Sequence, residues 1–157
     1  MTARMPPRKT PPRILLVEDN AGDEFLVVDA FEQASFPYEI EVVRNGEAAL
    51  QRLRNEGEYA GLPIPDLVLL DLNLPRLDGR DVLRNVKSDD TLARVPILVL
   101  TTSASPRDVE ACYSLHANAY MTKPFEVEAY ENIVESIGAF WFGAATLPFL
   151  SAPVKTF

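Results

Sequence analysis

The chain has 157 residues, 47% apolar and 24% charged, with one cysteine and a formal net charge of −8. That describes one globular domain able to bury a core unaided, and a lone cysteine excludes an internal disulfide, in keeping with a reducing cytoplasm. No apolar run reaches the ~18 residues of a membrane span, and residues 14–157 set 11 bases against 23 acids, a balance that repels phosphate backbones and speaks against nucleic acid as a partner.

Residues 1–12 hold Pro6, Pro7, Pro11 and Pro12 beside Arg4, Arg8 and Lys9, and read as a solvated basic leader outside the fold. The apolar run Ile14-Leu15-Leu16-Val17 predicts a first strand that ends in Glu18-Asp19. A helix over 22–34 follows, then an alternating strand over 38–43, and Asn45-Gly46 turns the chain into a helix over 47–55. Gly57, Gly61, Pro63 and Pro65 make 56–65 an extended loop. The next apolar run, 65–70, is a buried strand with Asp71 at its tip and the turn Leu72-Asn73-Leu74-Pro75 behind it.

Asp78-Gly79 opens a third helix ending near Ser88, with Val82, Leu83 and Val86 at helical spacing. A fourth strand, 95–100, runs into Thr101-Thr102. Ser105-Pro106-Arg107-Asp108 then has a capping-box pattern with proline at the first helical position. A short strand at 119–122 delivers Lys123-Pro124, and a last helix from about Phe125 carries Tyr130, Ile133, Val134, Ile137 and Trp141 on one stripe.

Five strands alternating with five helices predict an α/β fold, a doubly wound parallel sheet covered on both faces. The tips of strands one, three, four and five then share one edge, which collects Glu18, Asp19, Asp71, Thr101 and Lys123. A strand-tip carboxylate alone is often a helix cap, and Lys-Pro alone is common turn material. The acidic pair, lone aspartate, hydroxyl and lysine in this order point to a carboxylate that accepts a phosphoryl group beside a divalent metal.

The blocks Val17-Glu18-Asp19-Asn20, Leu70-Asp71-Leu72-Asn73-Leu74-Pro75, Leu100-Thr101-Thr102 and Lys123-Pro124-Phe125 resemble the signature blocks of response-regulator receiver domains of two-component phosphorelay signalling. The resemblance spans 13–138. It implies the (βα)5 flavodoxin-like sandwich with strand order 2-1-3-4-5 and Asp71 as phosphoacceptor. It further implies Mg2+ held by Asp19, Asp71 and the Asn73 backbone carbonyl, with Glu18 acting through a metal-bound water. Lys123 and Thr101 would contact the phosphoryl oxygens, Thr101 and Tyr120 would form the switch pair, and Lys123-Pro124 would be a cis peptide. The all-oxygen donor set suits a hard cation, and clustered carboxylates need one to offset their repulsion. Three features depart from the smallest or commonest receivers: Glu-Asp stands for Asp-Asp, Asn73 occupies a position that tunes dephosphorylation, and the 56–65 loop is longer.

Residues 139–157 are too few for a DNA-binding module, so output is expected through protein contacts. Phe140-Trp141-Phe142 and Leu147-Pro148-Phe149-Leu150 form an apolar extension, expected to serve as a dimer arm. The expected homodimer interface, along helix four, strand five and helix five, takes in Tyr130, Ile133, Ile137, Phe140, Trp141 and Phe142; the alternative folds the tail back over its own last helix. The leader, the long loop and the Phe-Trp tail further resemble single-domain regulators paired with bacterial phytochrome kinases, which implies a histidine kinase, of the bacteriophytochrome class, as phosphodonor. Two rivals remain on the sequence. One is a Mg2+-dependent phosphatase using Asp71, for which Asn73 offers no second acid. The other is an unphosphorylated pseudo-receiver scaffold.

Overall fold

The computed structural model describes residues 10–148. Residues 1–9 of the expected leader, and 149–157 of the expected arm at 139–157, lie outside the described residues. Five strands form one parallel sheet in the order β2-β1-β3-β4-β5: β1 is Arg13–Val17, β2 Glu39–Val43, β3 Leu67–Leu70, β4 Ile97–Thr101 and β5 Ala119–Thr122. Between and after them run α1 (Ala21–Glu32), α2 (Gly46–Leu53), α3 (Gly79–Lys87), α4 (Pro106–Ser114) and α5 (Val127–Ala139). The expected fold class and strand order are those observed.

Alternation along the strands splits the core into two layers. Leu15, Val17, Val68, Leu70, Ile97 and Val99 face α2, α3 and α4, where they meet Leu50, Leu53, Val82, Leu83, Val86 and Cys112. Ile14, Leu16, Leu67, Leu69, Leu98 and Leu100 face α1 and α5, where they meet Val27, Phe31, Tyr130, Val134 and Ile137. Because both faces are covered, the central strands are apolar from Ile14 to Val17, Leu67 to Leu70 and Ile97 to Leu100, which is why they read as unbroken runs.

Four helices start on side-chain caps. Asn20, Asn45, Asp78 and Ser105 accept from the backbone N–H of Asp23, Ala48, Asp81 and Asp108 respectively. At α4 only the forward half of the expected capping box forms, because the Asp108 carboxylate turns instead to Arg80 and to Ser103. No cis peptide occurs among the described residues, so the expected cis Lys123–Pro124 bond is trans.

The C-terminal stripe also departs from expectation. Tyr130 and Ile137 are buried against their own sheet, and α5 continues into a π-helical turn at Phe140–Ala144. The Phe142 ring lies 5.7 Å from that of Phe36. Phe36 in turn covers Gly138 so closely that a Cβ there would sit 2.2 Å from its ring. Trp141 and Ile133 pack on the same layer, and Phe140 alone of the expected interface residues is exposed. A stripe at helical spacing buries one helix face; here that face belongs to the chain's own core, so Tyr130 and Ile137 are not available to a second copy.

Candidate functional site

The sheet register fixes the edge. Val17 pairs with Leu70, Leu70 with Val99, and Thr101 with Thr122. Glu18 and Asp71 therefore leave adjacent strands at the same level, and Lys123 follows β5 beside Thr101, whose carbonyl accepts the Lys123 N–H at 2.7 Å. Behind Asp71, α3 comes in so tightly that a Cβ on Gly79 would lie 2.3 Å from the Asp71 carbonyl oxygen. Only glycine lets the helix dock there.

At the centre sits the Lys123 ammonium. It donates to Glu18 Oε1 at 2.5 Å, Asp23 Oδ2 at 2.8 Å and Asp71 Oδ2 at 3.1 Å. Carboxylate oxygens of Glu18, Asp19 and Asp71 lie within 4.8 Å of one another; Glu18 and Asp71 are buried and Asp19 is exposed. The structure thus gathers Glu18, Asp19, Asp71 and Lys123, as the sequence predicts. Asn73 is exposed and donates its N–H to Asp71 Oδ1 at 3.2 Å. The Asn20 N–H reaches Glu18 Oε2 at 3.4 Å.

Crowding separates the two buried acids. Burial and the neighbouring Asp71 carboxylate push Glu18 up to about 7, against the pull of Lys123. Burial alone would raise Asp71 as well, but hydrogen bonding from Glu18, the Lys123 charge and the Asn73 N–H hold it below the usual carboxylate range. Burial opposes the charge on Lys123, yet Asp23, Glu18 and Asp71 together drive its pKa above that of an ordinary lysine. Asp71 is thereby kept as the anion, the form a nucleophile needs.

Thr101 is fully buried and its Oγ1 has no hydrogen-bond partner among the described residues. Tyr120 is half-buried, and its hydroxyl donates to the Ser103 carbonyl at 2.7 Å, in the loop that Thr101 begins. Ser103 Oγ donates to Asp108 at 2.5 Å, and Asp108 is also paired with Arg80 at the start of α3. A chain of polar contacts therefore ties the loop after β4 to both flanking helices.

Sequence reasoning missed Asp23 and this Arg80–Asp108 clasp. Asp23 lies four residues after Asp19, on the first turn of the helix that the acidic tip feeds, and that spacing was the available signal. Nothing local marks Arg80 and Asp108, which are 28 residues apart. The expected interface residues are elsewhere: Tyr130 lies in the α1–α5 layer, close enough to Asp23 and Lys123 for their charges to act on its hydroxyl.

Oxygen-only donors, two of them buried, fit a hard divalent cation, and a buried hydroxyl without a partner fits an anionic oxygen nearby. Several known proteins are similar to this chain over most of its length. The chain is 43% identical over 145 residues to Response regulator Rcp1 of Synechocystis, covering 92% of this chain and 99% of that protein. Two of the similar solved structures cover most of the chain. The phosphorylated cyanobacterial phytochrome response regulator RcpA has a TM-score of 0.84 at 46% identity, over 89% of this chain and 100% of that one. The Mn2+-bound form of Rcp1 has a TM-score of 0.82 at 43% identity, over 88% and 100%. A family model described as the response regulator receiver domain matches residues 14–135. With that match over most of its length, the chain belongs to the response-regulator receiver family.

Proposed function

We propose that this receiver acts as a stand-alone response regulator, taking a phosphoryl group on Asp71 from a histidine kinase with Mg2+ bound at Glu18, Asp19, Asp71 and the Asn73 carbonyl. The observation that carries the reading is the buried Glu18–Asp71–Lys123 cluster, with Asp19 beside it, at the C-terminal edge of the sheet. An Asp71 carboxylate oxygen attacks phosphorus, the bond from phosphorus to the histidine nitrogen breaks, and the imidazole nitrogen keeps the electron pair. Mg2+ held by these residues would neutralise the clustered carboxylates and screen the incoming anion. Lys123 meets the phosphoryl oxygens, the partnerless Thr101 hydroxyl donates to one of them, and the Tyr120 side chain follows the loop between β4 and α4.

The same groups promote later hydrolysis of the acyl phosphate, so catalysis is confined to the chain's own modification. Asn73 carries no acid, which removes the proton donor a phosphatase of this type needs. Relatives support a phytochrome-class kinase as donor: two similar solved structures, at 39% and 36% identity, are bacteriophytochrome response regulators. Among the described residues no helix is long and apolar enough to cross a membrane, which suits action in the cytoplasm. We further infer a homodimer through α4, β5 and α5, supported by exposed Tyr113, Val127 and Phe140. The working assay is phosphotransfer from a bacteriophytochrome-type kinase labelled on histidine. Label moving to wild type and not to Asp71→Asn supports the reading; label staying on the kinase contradicts it.

A further inference from the structure

Asp23 belongs to neither the acidic pair nor the phosphoacceptor, yet it takes one of the three N–H bonds of the Lys123 ammonium, at 2.8 Å. Its backbone is fixed: the Asp23 N–H donates to Asn20 Oδ1 at 2.9 Å, on the first turn of α1, where the helix dipole favours a negative charge. The Lys123 side chain is 4% exposed and that of Asp23 is 29% exposed, so Asp23 is the ammonium's partner on the solvent side. The ammonium's other two partners, Glu18 and Asp71, are the buried carboxylates of the metal cluster.

This arrangement has a consequence for the loaded site. Carboxylate oxygens that turn to a cation and a phosphoryl group turn away from the lysine, and two of its three bonds weaken together. Asp23 is the partner outside the cluster, on a separate element, and it keeps its bond. We propose that Asp23 is a positioning residue for Lys123: it anchors the ammonium when Glu18 and Asp71 engage metal and phosphoryl group, so that Nζ is held where the phosphoryl oxygens arrive. The inference rests on Asp71 being the phosphoacceptor. Asp23 itself forms and breaks no covalent bond.

The test compares wild type, Asp23→Asn, Lys123→Gln, the double variant and Asp23→Glu in two assays. The first is the rate of phosphoryl adduct formation from acetyl phosphate and Mg2+, read by intact mass. Loss of one charge-assisted hydrogen bond from a positioned group is worth about ten-fold in rate. Asp23→Asn is expected to be slower by that factor, Asp23→Glu to recover most of it, and the double variant to be no slower than Lys123→Gln alone. The second assay is reductive methylation of Lys123 in Mg2+-loaded protein without donor, read by peptide mass, expected to be several-fold faster in Asp23→Asn. An Asp23→Asn rate equal to or above wild type, effects that multiply in the double variant, or unchanged Lys123 protection would each overturn the proposal. A wild type that forms no adduct sinks the phosphoacceptor reading and this inference with it; an active wild type with an indifferent Asp23→Asn sinks this inference alone.

Discussion

Glu18 and Asp71 are two carboxyls in one buried site, and their surroundings push their pKa values apart. Burial and the Asp71 carboxylate push Glu18 up to about 7 from an ordinary 4.5. A carboxyl raised on folding binds its proton more tightly in the native state, so its stabilising contribution is complete below its unfolded pKa and is lost as pH climbs through the folded one. Glu18→Gln keeps the shape without the charge. In EDTA it is expected to unfold at higher urea than wild type above pH 7 and to converge with it near pH 4.5; a wild type more stable at high pH would contradict the assignment. Lys123 makes the complementary prediction. Replacing it by Gln leaves Glu18 and Asp71 facing each other without a cation, at a cost of about 3 kcal/mol in EDTA. Mg2+ is then expected to raise the melting temperature of Lys123→Gln more than that of wild type, because no ammonium competes for the carboxylates.

At the scale of elements, the site depends on how closely α3 approaches the end of β3. Gly79→Ala sets a methyl group against the Asp71 carbonyl, and backbone cannot swing aside as a long side chain can. Denaturant titration is expected to show a loss of about 1–3 kcal/mol, the size of an overpacked contact; Gly143→Ala, where a Cβ would lie 3.5 Å from the Gly138 carbonyl oxygen, serves as the tolerant control. The strands were legible in the sequence because burial on both faces leaves apolar runs that polar tips interrupt, and α4 was legible from Ser105-Pro106. Strand order was not, since periodicity is silent on which neighbours pair, and it came from the resemblance. The Tyr130–Ile137 stripe was legible as a buried face but not as to what buries it. Phe36, packed against Gly138 102 positions later and against the Phe142 ring, shows that the tail packs on the turn before β2. Asp23 was hidden by its neighbours, because Asp19 and Asn20 already account for an acidic tip and a cap.

For the whole molecule, the tail divides its aromatics between inside and outside. Phe142 is half-buried against Phe36, whereas Phe140 is 56% exposed. Phe142→Ala is expected to lower the melting temperature, and Phe140→Glu to shift the sedimentation of the proposed dimer to that of a monomer. A Phe140→Glu protein that remains dimeric would move the interface elsewhere. The account as a whole stands on Asp71 as phosphoacceptor, and intact mass after incubation with acetyl phosphate and Mg2+ tests that most directly. One phosphoryl adduct on wild type, absent with EDTA and absent in Asp71→Asn, is the predicted result. An adduct that survives in Asp71→Asn, or no adduct on wild type with Mg2+ bound, would contradict it.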